Sequence, residues 1–192
     1  MVQLASDVRS ASSVMTDIPP EPSLLDLEPA HADLLDEVHE ALSSSPPSLP
    51  CKLFYDERGS KLFDAICELQ EYYPTRTEIE ILRTHGKTIL DLTGHEIRLV
   101  EFGSGSSLKT RLLLEQLAPG AIYVPIDISR DHLDATAQQL QRDFPEIEVL
   151  PVCADYTAEP ADLPGERGWP TVVFFPGSTI GNFERDDAVE FL

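Results

Sequence analysis

The stretch from Arg98 to Thr110, Arg-Leu-Val-Glu-Phe-Gly-Ser-Gly-Ser-Ser-Leu-Lys-Thr, limits the possible folds more than any other part of the chain. It reads as a buried strand, a glycine turn and the start of a helix. Arg98 to Phe102 is a short apolar run with an acid, Glu101, near its end. Gly103 and Gly105 permit a tight turn and close approach of a ligand to the backbone. Leu112, Leu113, Leu114 and Leu117 then give an apolar helix face that stops at Pro119-Gly120. A βα unit of this kind is where nucleotide-like cofactors sit.

Two departures narrow the choice of cofactor. The third glycine of a G-x-G-x-x-G turn falls at position 108, which is Leu108. Close strand–helix packing over a pyrophosphate is therefore not what this turn is built for. No Gly-Lys-Ser/Thr follows, so a phosphate-binding P-loop is excluded. What remains is E-x-G-x-G. Glu101 can hold a cationic or hydroxyl-bearing part of a ligand while the glycines admit it. That suits S-adenosylmethionine (SAM), which carries a sulfonium and an amino-acid moiety and no phosphate. The competing reading is an ordinary strand–helix turn with glycine for shape.

Downstream residues extend the pattern. Ala121 to Asp127 predicts the next strand, ending in an acid about twenty residues past the glycines, where ribose hydroxyls are bound in Rossmann-like sheets. Two acceptors on one carboxylate suit a 2′,3′-diol. A helix follows from Ser129 or Asp131 to Asp143, with Leu133, Ala137 and Leu140 spaced for burial. Glu146 to Pro151 predicts a third strand, with Asp155-Tyr156 beyond its carboxyl end. An Asp beside an aromatic there can bond an adenine amino group while the ring covers the base; a turn Asp and a core Tyr are the alternative. Pro170 to Phe175 predicts a fourth, fully buried strand, followed by Pro176-Gly-Ser-Thr-Ile-Gly-Asn-Phe183 at the same edge. Open α/β sheets bind ligands at that edge. No catalytic Tyr/Lys or His arrangement follows the fourth strand, which with Leu108 disfavours a dehydrogenase.

Upstream, residues 1–30 are rich in Ser, Pro, Asp and Glu and predict a solvated acidic leader. His31 to Leu42 predicts an amphipathic helix with Leu34, Leu35, Val38 and Leu42 on one face. Ser60 is the expected cap of a helix from Lys61 to Leu69 that turns Leu62, Phe63, Ile66 and Leu69 inward. Pro74 is expected to hold Tyr73 out of helical geometry. Thr75 and Glu78 then read as a capping box for a helix to about Leu90. Tyr55, Tyr72 and Tyr73 sit in loops before helices, as lids on a pocket or as simple packing.

Composition excludes other classes of function. The net charge of −20 argues against a nucleic-acid or anionic-membrane surface, because both need clustered Lys and Arg. Cys51, Cys67 and Cys153 are an odd number without metal-ligand spacing and read as reduced thiols of a cytoplasmic protein. No metal site is expected. No apolar run reaches membrane length, and no signal-peptide pattern opens the chain.

Taken together, Phe54-Tyr-Asp-Glu-Arg-Gly-Ser60, Glu71-Tyr-Tyr-Pro-Thr-Arg76, Glu101 to Thr110, Pro125-Ile-Asp-Ile-Ser129 and Phe175 to Phe183 resemble the SAM-dependent histidine Nα-methyltransferases of ergothioneine biosynthesis. The match runs in order from about residue 35 to the end. The resemblance implies an α/β, Rossmann-like class I methyltransferase sheet with helices on both faces. That sheet would span residues 93–192, be incomplete at the C-terminus, and follow an N-terminal helical segment, residues 31–92, that contributes to the substrate pocket. It implies that Gly103, Lys109, Asp127, Asp155 and Tyr156 hold SAM, to which the reading of the turn itself adds Glu101 and Gly105. It implies that Tyr55, Tyr72, Gly177 and Asn182 face an amino-acid substrate, histidine, whose α-amine is methylated; no residue is assigned as catalytic. Members of this family are longer. The chain therefore resembles their front portion, either an enzyme lacking its substrate-binding half, which a separately encoded C-terminal half would complete, or a non-catalytic remnant that binds SAM or a partner.

Overall fold

The computed structural model describes residues 21–27, 31–157 and 162–192. The strands are β1 (Leu25–Asp26), β2 (Arg98–Phe102), β3 (Ile122–Asp127), β4 (Glu148–Val149), β5 (Val152–Cys153) and β6 (Thr171–Phe174). The helices are α1 (His31–Ser43), α2 (Glu57–Cys67), α3 (Pro74–Thr93), α4 (Arg111–Leu114), α5 (Arg130–Asp143) and α6 (Arg185–Phe191). All strand pairs are parallel, in the order β1-β5-β3-β2-β6, with β4 also against β3. β4 and β5 are two pieces of one interrupted strand that runs beside β3.

Alternation along the strands divides the core in two. Leu99 of β2 and Tyr123 of β3 point to one face, where Leu82 and Leu90 of α3, Leu113 and Leu114 of α4 and Ala137 and Leu140 of α5 cover them. Val100, Ile122, Val124 and Ile126 point to the other, packed against Leu150, Leu163, Trp169 and Tyr156. β2 and β3 are buried on both faces, which is why they read as unbroken apolar runs.

Several local expectations change. Leu25–Asp26, inside the expected leader, adds to the sheet edge: Leu25 N donates to Pro151 O at 2.9 Å and Leu27 N to Cys153 O at 3.0 Å. Arg130 of α5 holds the added strand through Asp26, at 2.8 Å. Residues 1–20 and 28–30 of that leader lie outside the described residues. β6 is not fully buried: it is the outer strand on its side, and Val173 is exposed. The helix after the glycine turn is short, because α4 closes at Leu114 and turns replace it before Pro119.

The N-terminal helices also differ from their pattern. Asp56, not Ser60, caps α2, accepting from Gly59 N at 2.6 Å, so the helix begins four residues earlier than Lys61. Leu62, Ile66 and Leu69 of the α2 region are exposed, as are Leu35 and Leu42 of α1; Leu34 lies outside the residues whose side chains are described. Tyr73 is helical, at φ −72° and ψ −23°. Arg76 grips the preceding loop, donating to the carbonyls of Leu69, Gln70 and Tyr72 at 2.5–3.3 Å, and so sets the approach to Pro74. Thr75 makes no capping bond, and Glu78 is engaged elsewhere.

The core ledger yields a direct contrast. Leu140 is fully buried and Leu92 of α3 is 84% exposed. Leu140→Ala should cost about 2–5 kcal/mol in urea unfolding, and Leu92→Ala less than about 0.5 kcal/mol. Equal costs would contradict this packing.

Candidate functional site

The carboxyl ends of β2, β3, β5 and β6 open into one cleft of about 1160 Å³. The β2–β3 register sets its floor. Phe102 lies opposite Ile126, so the glycine turn leaves β2 beside the end of β3. Gly103 N and Ser104 N both donate to Ile126 O, at 2.9 and 3.1 Å. Gly103 and Gly105 have φ of 66° and 49°, a region that costs a side-chain-bearing residue free energy.

Asp127 braces this turn. Its Oδ2 accepts from Gly105 N at 2.9 Å and its Oδ1 from Ser129 N at 2.9 Å, joining the turn to the start of α5. Each oxygen retains a further lone pair, and the residue lines the cleft.

Glu101 lies beneath. It is 1% exposed and lines the cleft wall. Its Oε2 accepts from Thr110 Oγ1 at 2.5 Å and from the Tyr123 hydroxyl, which itself meets Ser107 Oγ at 2.9 Å. Burial pushes the Glu101 carboxyl up to about 7, against the opposing pull of the Thr110 and Tyr123 hydrogen bonds. Burial likewise raises the Tyr123 phenol well above its ordinary value, reinforced by the charge of Glu101.

Asp155 and Tyr156 form the wall beyond β5. Asp155 Oδ2 pairs with Lys52 Nζ at 2.7 Å, and its Oδ1 accepts from Thr157 N and Oγ1 at 2.9 and 2.6 Å. Burial pulls the Asp155 carboxyl up, but the Lys52 and Thr157 hydrogen bonds outweigh it and hold the group below its ordinary value. Lys52 also meets Glu37 of α1 at 2.9 Å, so α1 is tied to this wall. Burial pulls the Lys52 ammonium down, and the bonds to Asp155 and Glu37 more than reverse that. Tyr156 stacks on Phe102 with ring centroids 5.6 Å apart and planes 15° from parallel, and burial raises its phenol. Phe175 and Phe191 pack edgewise against this pair.

The rest of the lining comes from the N-terminal segment and the loop after β6. Tyr55 and Tyr72 sandwich Phe63, edge to face, at 5.8 and 5.9 Å. Gly177 and Asn182 line the cleft there. Lys109, on the floor, pairs with Glu78 Oε2 at 2.6 Å.

The structure therefore brings all the residues singled out from the sequence, Glu101, Gly103, Gly105, Lys109, Asp127, Asp155, Tyr156, Tyr55, Tyr72, Gly177 and Asn182, to the lining of one cleft. Lys52, Glu78, Thr110 and Tyr123, which position them, were not singled out as site residues. Tyr123 had a visible signal, a phenol in an otherwise apolar strand that needs a partner. Lys52 and Glu78 act across 103 and 99 residues, beyond any local pattern. Among the described residues no acidic or thiol cluster could hold a metal ion, and no helix is long and apolar enough to cross a membrane.

A parallel sheet with E-x-G-x-G at the end of one strand and an acid at the end of the next is the arrangement of a Rossmann-like cofactor-binding fold. The chain belongs to the histidine-specific, SAM-dependent methyltransferase family, whose sequence profile matches residues 34–192. It is 42% identical over 165 residues to a histidine N-alpha-methyltransferase of Mycobacterium tuberculosis, covering 84% of this chain and 50% of the relative. It is 36% identical over 156 residues to ergothioneine biosynthesis protein 1 of Neurospora crassa, covering 77% of this chain and 17% of the relative. A 4-dimethylallyltryptophan N-methyltransferase of Penicillium roqueforti is 30% identical over 164 residues, 82% of this chain and 48% of the relative. The chain thus spans about half the length of the mycobacterial relative, in which the matched and remaining parts form one polypeptide.

Glu101 gives the site a pH signature. Its proton is held in the native state up to about 7, against an ordinary value of 4.5. Between those values the unfolded chain has lost a proton that the native state keeps, so this group's contribution to stability falls as pH rises. Wild type should lose stability relative to Glu101→Gln across that interval, by on the order of 1 kcal/mol per pH unit in denaturant titrations. Parallel stability curves for the two proteins would count against the buried carboxyl.

Proposed function

We propose that this cleft binds SAM and serves methyl transfer to the α-amine of an amino acid, histidine being the substrate named in two mycobacterial relatives. The carrying observation is the joint placement of Gly103, Gly105, Asp127 and Asp155 at the ends of adjacent parallel strands around one cleft.

The residues present fit the cofactor's chemistry. Asp127 offers two acceptors, each with a free lone pair, for the ribose diol. The glycine turn admits the ligand against the backbone. Tyr156 and Asp155 offer a ring face and an acceptor for adenine, and Glu101 a carboxylate for the cationic end. Lys109 offers an ammonium for the cofactor's carboxylate. Bound SAM supplies an electrophilic methyl on a good leaving group. The chain's own task is then to align the amine with that methyl and to exclude water. Asn182 and Gly177 would orient the amino acid from the loop after β6. Tyr55 and Tyr72 would present ring faces to the methylammonium that develops. The amine must reach the cofactor neutral, and burial within the cleft favours its loss of a proton. Free thiols at Cys51, Cys67 and Cys153 accord with a cytoplasmic setting.

Calorimetry with S-adenosylhomocysteine tests the cofactor site. The wild-type chain should bind it, and Asp127→Ala should weaken binding by at least about a hundredfold, the loss of a bidentate charged contact. Unchanged affinity would remove the ribose role. In methyl-transfer assays with histidine, Asn182→Ala should raise the KM for the amino acid by more than about tenfold and that for SAM by less than about threefold. Equal effects on the two would contradict a substrate role.

A further inference from the structure

We propose that Glu78 is a positioning residue whose carboxylate clamps the loop Pro176–Asn182 to Lys109, so that the cofactor side and the amino-acid side of the cleft become ordered together. The functional meaning of the clamp rests on the methyltransferase reading; its existence does not.

The geometry joins three distant pieces of chain. Glu78, in the second turn of α3, accepts from Lys109 Nζ on Oε2 at 2.6 Å and from Gly177 N on Oε1 at 2.8 Å. The separations in sequence are 31 and 99 residues. Donors arrive at both ends of the side chain, and only a carboxylate accepts at both. A glutamine would turn its NH₂ toward one of them. The Lys109 and Glu78 side chains are only 16% and 25% exposed, so the pair is partly withdrawn from water. Charge-assisted bonds in such surroundings are stronger than surface ion pairs, and breaking one leaves a poorly solvated group.

The loop needs an external hold. Gly177 has φ +85° and Ser178 φ +59°, two successive residues in the left-handed region. A serine there is strained and persists only where its surroundings enforce it. Among the described residues the other hydrogen bonds of this loop are local: Thr179 Oγ1 to Pro176 O, Gly181 N to Ser178 O and Phe183 N to Ile180 O. The bond to Glu78 is the one that reaches the body of the protein. A Cβ at position 177 would stand 3.3 Å from Lys109 Nζ, so the backbone itself lies against the ammonium. A ligand that engages Lys109 therefore meets a group already oriented by the element that orients the loop. Such coupling is reciprocal: occupancy on one side stabilises order on the other.

Hydrogen exchange of the full 192-residue chain, read by mass spectrometry on peptides spanning 176–183, tests this with and without saturating S-adenosylhomocysteine. Glu78→Gln should speed exchange in that segment by about tenfold or more, leaving the protection of β2 and β3 intact. Glu80→Gln, the same change at an exposed site on the same helix, should not alter it. The ligand should slow the segment in wild type and not in Glu78→Gln, even though the variant still binds. Unaltered exchange in ligand-free Glu78→Gln overturns the clamp; equal ligand-induced slowing in both proteins overturns the coupling. Should Glu78→Gln fail to fold, Lys109→Met must speed the same segment, and its failure to do so overturns the proposal. If wild type does not bind the ligand, the cofactor reading falls and the ligand-free comparison still decides the clamp.

Discussion

Everything at the cleft depends on the parallel register of β2 and β3. Glu101 lies opposite Pro125 and Phe102 opposite Ile126. That places the first residue after β2, Gly103, against the end of β3, where Ile126 O takes two amide donors. Asp127 then receives Gly105 N and Ser129 N, fixing the turn to the helix that follows. A slip of one residue would exchange the two core faces and bury Asp127 on the wrong side. The register is secured by burial on both faces, where Leu99, Val100, Tyr123 and Val124 are all 1% exposed or less.

Buried polarity makes the arrangement specific. Glu101, Thr110, Tyr123 and Ser107 form a closed set of hydrogen bonds in an otherwise apolar layer. A carboxyl in that position is costly unless satisfied, and two hydroxyl donors satisfy Oε2. The set ties the end of β2 to β3 and to the start of α4. It leaves a titratable acid at the cleft wall, where a cationic ligand would favour its ionised form. Around this core the segment before α3 is tied to the sheet by the Lys52–Asp155 ion pair, with Lys52 also meeting Glu37 of α1, whereas α3 packs through Leu82 and Leu90 and adds the Glu78–Lys109 pair. The apolar residues Leu62, Ile66 and Leu69 of that segment remain exposed. Its attachment to the sheet is thus more electrostatic than the packing of α3–α5.

The legible parts of the fold were those with local signatures. Doubly buried strands announce themselves as apolar runs, and Leu133, Ala137 and Leu140 show the helical period of α5. The positive φ of Gly103 and Gly105 accounts for the glycines that marked the turn. The misread parts depended on partners distant in sequence. Ser60 and Thr75 looked like caps because hydroxyls before apolar runs usually are. Asp56 outcompeted the first, and the second makes no capping bond. Glu78 fitted a capping box yet spends both oxygens on Lys109 and Gly177. Leu25–Asp26 carries no strand pattern of its own and is a strand only because β5 offers an open edge. Val173 sits in a run that reads as buried, but β6 is the outer strand.

In the proposed function, strand-end carboxylates and a glycine turn form one adenosyl site. The most direct measurement is a crystal structure of this chain grown with S-adenosylhomocysteine. The ribose hydroxyls should lie within hydrogen-bonding distance of Asp127, the thioether over Gly103, and adenine against Tyr156. Ligand density elsewhere, or a ribose turned away from Asp127, would contradict it.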